Sequence, residues 1–199
     1  RESEERFSKA FRTSPHPIGI TEVATGRCVE VNDACLQLFG FHREEVIGNT
    51  TLILGIWPNL EDRVRFIERL KAGEQVRNME FVLKTKSGAL RYLLASADLA
   101  ELNGTLCIVT VANDITDRKQ AEEALRVSEE RFAKAFQASP HPVVISELDT
   151  GRVVDANDAA CQLSGYRKED GLGHTTLEIG LWPLAEERAC FVEQMKSVG

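Results

Sequence analysis

Apolar residues recur along this chain at two spacings, and the change from one to the other divides the first half into two kinds of element. From Glu2 to Phe11, Phe7, Ala10 and Phe11 fall at helical spacing and predict a short amphipathic helix. Ser14-Pro15-His16-Pro17 stops it, because proline lacks the amide donor and disfavours helix at the residue before it. Ile18–Val23 and Cys28–Val31 flank Ala24-Thr25-Gly26-Arg27 as a hairpin. Asn32 or Asp33 can then cap a helix through Phe39, ended by Gly40. Arg43–Ile47 and Thr50–Leu54 are too short to assign from pattern alone. Glu61–Lys71 predicts a helix whose apolar face carries Val64, Ile67 and Leu70, with Gly73 as its stop.

After Gly73 the period becomes that of strands. Val76–Lys84 and Leu90–Leu99 are extended runs joined through Lys86-Ser87-Gly88, and Asn103-Gly104 makes a turn before Leu106–Ala112. Two strands, several short helices and three strands make an α+β arrangement, an antiparallel sheet with helices on one face. The space between sheet and helices is a natural small-molecule pocket.

The pattern then repeats. Glu5–Phe11 returns as Glu130–Phe136, and Ser14–Pro17 returns as Ser139–Pro142, at a constant offset of 125 residues. Asn32-Asp33-Ala34 matches Asn157-Asp158-Ala159, and Leu52–Pro58 matches Leu177–Pro183, with roughly half the aligned positions identical. A unit this long is a duplicated domain, since solenoid repeats run about 20–50 residues. The predicted division is a first domain at 1–118 with an N-terminal cap helix, a linker helix at 117–137, and a second copy at 138–199. That copy reaches only the equivalent of Glu74, so its last three strands are missing. A hairpin at Val143–Val154 without its central neighbour predicts intermolecular pairing or poor order in 140–199, unless those strands lie beyond this sequence.

Between the copies, Thr116 or Asp117 can cap a helix running to about Gln137. Ala121, Leu125, Ser128, Phe132 and Ala135 follow the alternating spacing of a coiled-coil seam, and charged residues fill the other faces. Two readings are open: a helix that covers its own domain, or one that pairs with its twin in a parallel homodimer.

Composition narrows the class. With 199 residues, 43% hydrophobic and 28% charged, the chain reads as globular rather than disordered. Its net charge of −7 argues against a nucleic-acid partner. No apolar run approaches membrane-spanning length and no signal peptide is evident, so no direct membrane contact is expected. Five cysteines without a CxxC pair suggest reduced thiols and a cytoplasmic location. Four scattered histidines share no ligand spacing with them, so no metal site is expected.

The most specific stretches are Val31-Asn32-Asp33-Ala34, Gly40-Phe41 with Gly48, Lys86-Ser87-Gly88, and Asn113-Asp114-Ile115-Thr116-Asp117-Arg118-Lys119. On these residues the chain resembles tandem PAS domains of the bacterial sensory-box kind, over 1–118 and again over 126–199. The resemblance implies a five-stranded antiparallel sheet of order 2-1-5-4-3, which makes the last strand central. The near-continuous apolar run Leu106–Val111 agrees, as a strand covered on both faces should. It further implies sensing and relay to a downstream effector of the same polypeptide, such as the histidine kinase of a two-component system. A homodimer through the N-terminal and linker helices is expected, with Asp114, Ile115 and Thr116 handing the signal to the linker.

Light-sensing members of that family carry a flavin-attacking cysteine in Gly-x-x-Cys, where this chain reads Gly48-Asn49-Thr50-Thr51. A covalent flavin is thereby excluded. The amide positions that hold the flavin ring match Leu83, Leu93 and Ala112, which disfavours non-covalent flavin. The core helix Glu61–Lys71 has no histidine for haem. Pocket candidates are Thr21, Leu36, Leu52, Trp57, Phe66, Met79, Phe81, Leu83, Leu93, Ala95, Ile108 and Thr110, with Ala97 and Ala112 on the same strand faces. An apolar cavity with Thr21 and Thr110 as sparse polar handles suits a small apolar or aromatic metabolite. The competing reading is a packed core that binds nothing, a structural dimerisation spacer.

Other residues attract less chemistry. His16 and His141 read as turn residues, Trp57 and Trp182 as hydrophobic plugs. Cys35 and Cys161 do not align across the repeat, and adjacent Glu44 and Glu45 do not face one another on a helix. No catalytic residues are assigned, and the chain is read as a regulatory region rather than an enzyme.

Overall fold

The computed structural model describes residues 2–198 and falls into two compact units, Arg1–Glu122 and Glu123–Gly199. The first opens with α1 (Glu2–Thr13). β1 (Ile18–Glu22) and β2 (Cys28–Val31) follow as a hairpin. The short helices α2 (Asp33–Phe39) and α3 (Arg43–Val46) precede α4 (Leu60–Lys71). β3 (Val76–Lys84), β4 (Leu90–Leu102) and β5 (Thr105–Asp114) complete an antiparallel sheet of order β2-β1-β5-β4-β3. The implied strand order is thus the observed one.

β4 runs three residues past the predicted Leu99. Asn103 (φ 50°) and Gly104 (φ 77°) both adopt left-handed backbone between the paired Leu102 and Thr105, the two-residue turn that matches strand twist. α2 is set by its ends: Asn32 caps it at the N-terminus, and Gly40 closes it at φ 74° with its N–H donating to the Leu36 carbonyl.

Two expectations about faces are corrected. On α4, Val64 is 49% exposed, and the buried face runs through Phe66 and Leu70 with Ile67 beside them. The helix is rotated to bring its one aromatic residue under the sheet, where Phe66 meets Phe81 edge-on at 5.4 Å between ring centres. β5 is covered unevenly. Its inner face carries Ile108 and Ala112 in the main core, while on the outer face Cys107 and Val109 pack with Phe11 of α1. Val111 stays 40% exposed because α1 crosses only part of that outer face, while Leu106, 48% exposed, lies on the inner face among the residues lining the cavity. Of the predicted α1 face, Ala10 is exposed and the Phe7 side chain lies outside the described residues.

α5 (Thr116–Ala138) follows directly from β5. The second unit repeats the first hairpin as β6 (Val144–Ser146) and β7 (Val153–Ala156), then α6 (Asp158–Ser164), α7 (Lys168–Gly171) and α8 (Ala185–Val198). The duplication extends to detail: Arg27 bridges Thr50 as Arg152 bridges Thr175, and Gly165 caps α6 at φ 78°. Among the described residues this unit's sheet has two strands, β6 and β7.

Candidate functional site

A cavity of about 500 Å³ lies inside the first unit between the sheet and α2–α4. Of the twelve pocket candidates, the strands contribute Thr21, Phe81, Leu83, Leu93, Ala95, Ile108 and Thr110 to its wall. Leu36, Trp57 and Phe66 face them from the helical side. Ala112 lines it as well, and Ala97 is fully packed core outside the lining.

Leu52 and Met79 are not part of the wall. Leu52 is 47% exposed, because the chain from Thr50 to Leu54 is a tight turn that directs Thr51 and Leu54 inward instead. Met79 has the correct parity but follows a bulge at Asn78 (φ 48°), and it packs against the core where Arg69 approaches its sulfur at 3.9 Å.

Three aromatic rings define one end. Trp57 stands edge-on to Phe81 at 5.5 Å and tilted to Phe66 at 6.2 Å. Its indole N–H donates to the Thr51 hydroxyl at 3.2 Å, so the residue at the flavin-cysteine position orients this ring. Leu83, Leu93 and Ala112, at the flavin-amide positions, all line the cavity, and no histidine, asparagine or glutamine joins them among the described residues.

Sequence reasoning missed Cys28, Cys35 and Arg63, which also line the space. Burial pushes the Cys28 thiol up, and burial with the neighbouring Cys28 pushes Cys35 to about 12. Both are therefore protonated and poorly nucleophilic near neutrality.

The turn before β1 and the start of α2 are held together by Asn32, which is fully buried. Its Oδ1 accepts from the Ile18 N–H at 2.9 Å and the Cys35 N–H at 3.0 Å. Its Nδ2 donates to the His16 carbonyl at 2.8 Å and the Ser14 carbonyl at 3.4 Å. The second copy repeats this: Asn157 accepts from Val143 and Ala160 and donates to the His141 carbonyl at 2.8 Å. The Ser-Pro-His-Pro turn thus serves through its backbone carbonyls, with the Ser14 hydroxyl accepting from the His16 N–H at 3.2 Å.

At the other end of β5, the Asp114 carboxylate accepts from the Thr116 N–H at 2.9 Å and from the Thr116 hydroxyl. That hydroxyl in turn accepts from the Tyr92 N–H at 3.0 Å, and the Ile115 N–H donates to the Tyr92 carbonyl at 2.8 Å. The Asp114 side chain thus accepts from the first N–H of α5, the capping role expected of Thr116 or Asp117. Thr116 is already helical and buried, tying the first turn to β4. Lys119 adds an ion pair to Glu80 of β3 at 2.8 Å.

Along α5 the seam Ala121, Leu125, Ser128, Phe132 and Ala135 is exposed throughout, with Leu125 60% and Phe132 61% accessible. No described helix is long and apolar enough to cross a membrane, and no described group of His, Cys, Asp and Glu could hold a metal ion.

Comparison with known proteins places these features. The family described as PAS fold matches residues 5–119, and a second PAS domain description matches residues 130–196. Sporulation kinase E of Bacillus subtilis is 25% identical over 177 residues, covering 89% of this chain and 23% of the kinase. The methyl sulfide methyltransferase-associated sensor of Methanosarcina acetivorans is 28% identical over 135 residues, covering 66% of this chain and 13% of that protein. The chain spans less than a quarter of the length of these relatives. Among solved structures, an RNA-binding light-oxygen-voltage receptor superposes with a TM-score of 0.54 at 15% identity, over 64% of this chain and 37% of that one. At that identity the likeness is one of fold.

Proposed function

Because the chain belongs to the PAS family, we propose that it is a sensory module that binds a small apolar or aromatic metabolite in the first unit and relays occupancy to an effector. The observation carrying this reading is the cavity of about 500 Å³ against the central strand, within the range of about 300–1,000 Å³ of small-molecule sites. β5 forms one wall, and it continues through the Asp114–Thr116 clamp into α5. A ligand that favours one position of β5 over another biases the clamp and hence the helix; without such a difference in affinity there is no signal. The effector is a histidine kinase of the same polypeptide, a reading supported by the likeness to Sporulation kinase E, and the module works in the cytoplasm with reduced thiols. The region itself performs no catalysis.

The lining favours a ligand other than flavin or haem. Leu83, Leu93 and Ala112 offer no amide to a flavin ring, Thr51 is no covalent nucleophile, and among the described residues no histidine lines the cavity to hold iron. Filling the cavity tests the reading. Ala95→Trp, in the protein that carries the effector, is expected to hold output at one level and abolish its response to stimulus. A variant that responds like the wild type contradicts it.

α5 is the dimer element in this reading, pairing in parallel with its twin together with α1. The support is the exposed seam, since apolar residues at this spacing bury little on their own unit. Leu125→Glu with Phe132→Glu is expected to lower the dimer fraction at least tenfold in sedimentation equilibrium. An unchanged dimer fraction removes α5 from the interface.

A further inference from the structure

Arg63 lines the cavity from the buried side of α4, where Lys71 at the end of the helix also reaches it. The arginine is half-buried, one turn before Phe66 and two before Leu70 on that face. Its guanidinium reaches the β1–β2 turn, with Nη2 3.5 Å from where a side chain on Gly26 would begin. Among the described residues it makes no hydrogen bond or ion pair, although a guanidinium carries five donors. The second copy provides the contrast. There Arg188, at the matching position, lies against Gly151, and its Nη2 donates to the Leu148 carbonyl at 2.9 Å. One copy thus uses this arginine as a strut between helix and hairpin, and the other leaves the fork open beside an apolar cavity.

Resting on the reading that the cavity holds a ligand, we propose that the ligand is an amphipathic carboxylate, its carboxylate paired with Arg63 and its apolar body among Trp57, Phe66 and Phe81. A planar carboxylate matches the guanidinium fork in two parallel hydrogen bonds. The charge balance favours a monoanion. Glu22 also lines the mouth, its carboxylate accepting from the Thr25 hydroxyl, so a dianionic phosphate would face it with one half-buried arginine and the exposed Lys71 in support. The remaining wall, with Leu36, Leu93 and Ile108, suits an aryl or alkyl chain.

Calorimetric titration of the full chain with 4-phenylbutyrate and octanoate, and with their neutral primary amides, tests the pairing. The acids are expected to bind the wild type at least tenfold more tightly than the amides. Arg63→Gln should weaken the acids at least tenfold and leave the amides within twofold, and Arg63→Lys should restore part of the acid preference. If acid and amide bind the wild type alike, or Arg63→Gln weakens both alike, Arg63 is a strut and this proposal falls while the ligand reading stands. Binding of none of the four probes overturns the carboxylate proposal and counts against the ligand reading as well. The acid-to-amide ratio in the wild type decides even if the variants fail to fold.

Discussion

Asn32→Ala is expected to destabilise the first unit by roughly 3–4 kcal/mol. Loss of a helix cap alone costs about 1 kcal/mol, and each buried backbone group left without a partner adds about 1–3 kcal/mol. Asn32 bonds four part-buried groups, the Ile18 and Cys35 amides and the Ser14 and His16 carbonyls, and water regains those nearest the surface when the side chain is lost, which keeps the sum below four full penalties. Alanine also removes the side-chain hydrogen bonds that tie the turn before β1 to the start of α2, so the losses fall on one cooperative node. Asn32→Asp keeps an acceptor for the two amides but faces a carboxylate oxygen toward the His16 carbonyl, so it should cost less than alanine yet remain clearly destabilising. Urea unfolding in a Trp182→Phe background isolates the signal of Trp57, which reports the first unit. A loss below about 1 kcal/mol, the size of an ordinary exposed contact, would mean that the node is not cooperative.

The second large effect is expected at the junction. Asp114→Ala removes the acceptor of the Thr116 amide and hydroxyl, leaving Thr116 to hold Tyr92 without its own support. A lost N-terminal cap costs about 0.5–2 kcal/mol, and about 1.4 kcal/mol is a tenfold change in an opening equilibrium. Amides from Thr116 to Lys119 should therefore exchange roughly tenfold faster, while those of the β1–β2 hairpin stay unchanged. In the effector-bearing protein the same change should uncouple stimulus from output. Faster exchange with intact coupling would show the clamp to be structural only, and unchanged exchange would show that it does not hold the helix.

Asn32 also marks how far the sequence could be read. As a cap it was legible, because an asparagine followed by an apolar helical run has a local physical meaning. Its donor role was not, because that depends on the Ser-Pro-His-Pro turn lying against it in space. The sheet order followed from the resemblance and from the apolar run of β5. The partial cover of β5 did not, since nothing in α1 fixes how much of the outer face it crosses. Val64 and Phe66 show the limit of periodicity: both belong to plausible faces, and the aromatic contact with Phe81 decides between them. Leu52 is displaced by a local turn, which shifts the wall by one residue without altering its apolar pattern, whereas Met79 keeps the inward parity and packs against the core beyond the cavity lining. Arg63 escaped notice because a charge on a helix reads as solvated until the opposite wall is known.

The cavity itself was only half legible. Large apolar residues fill space as readily as they surround it, and the packing that separates these outcomes is set by contacts among β3, β4, α2 and α4. Its presence moves the balance toward sensing, so the most direct measurement is of its contents. Native mass spectrometry of the protein purified from its own host should show a reproducible excess over the denatured mass, and Ala95→Trp should lose that excess. Equal native and denatured subunit masses, with a dimer surviving in the native spectrum, would contradict sensing and leave a dimerisation spacer.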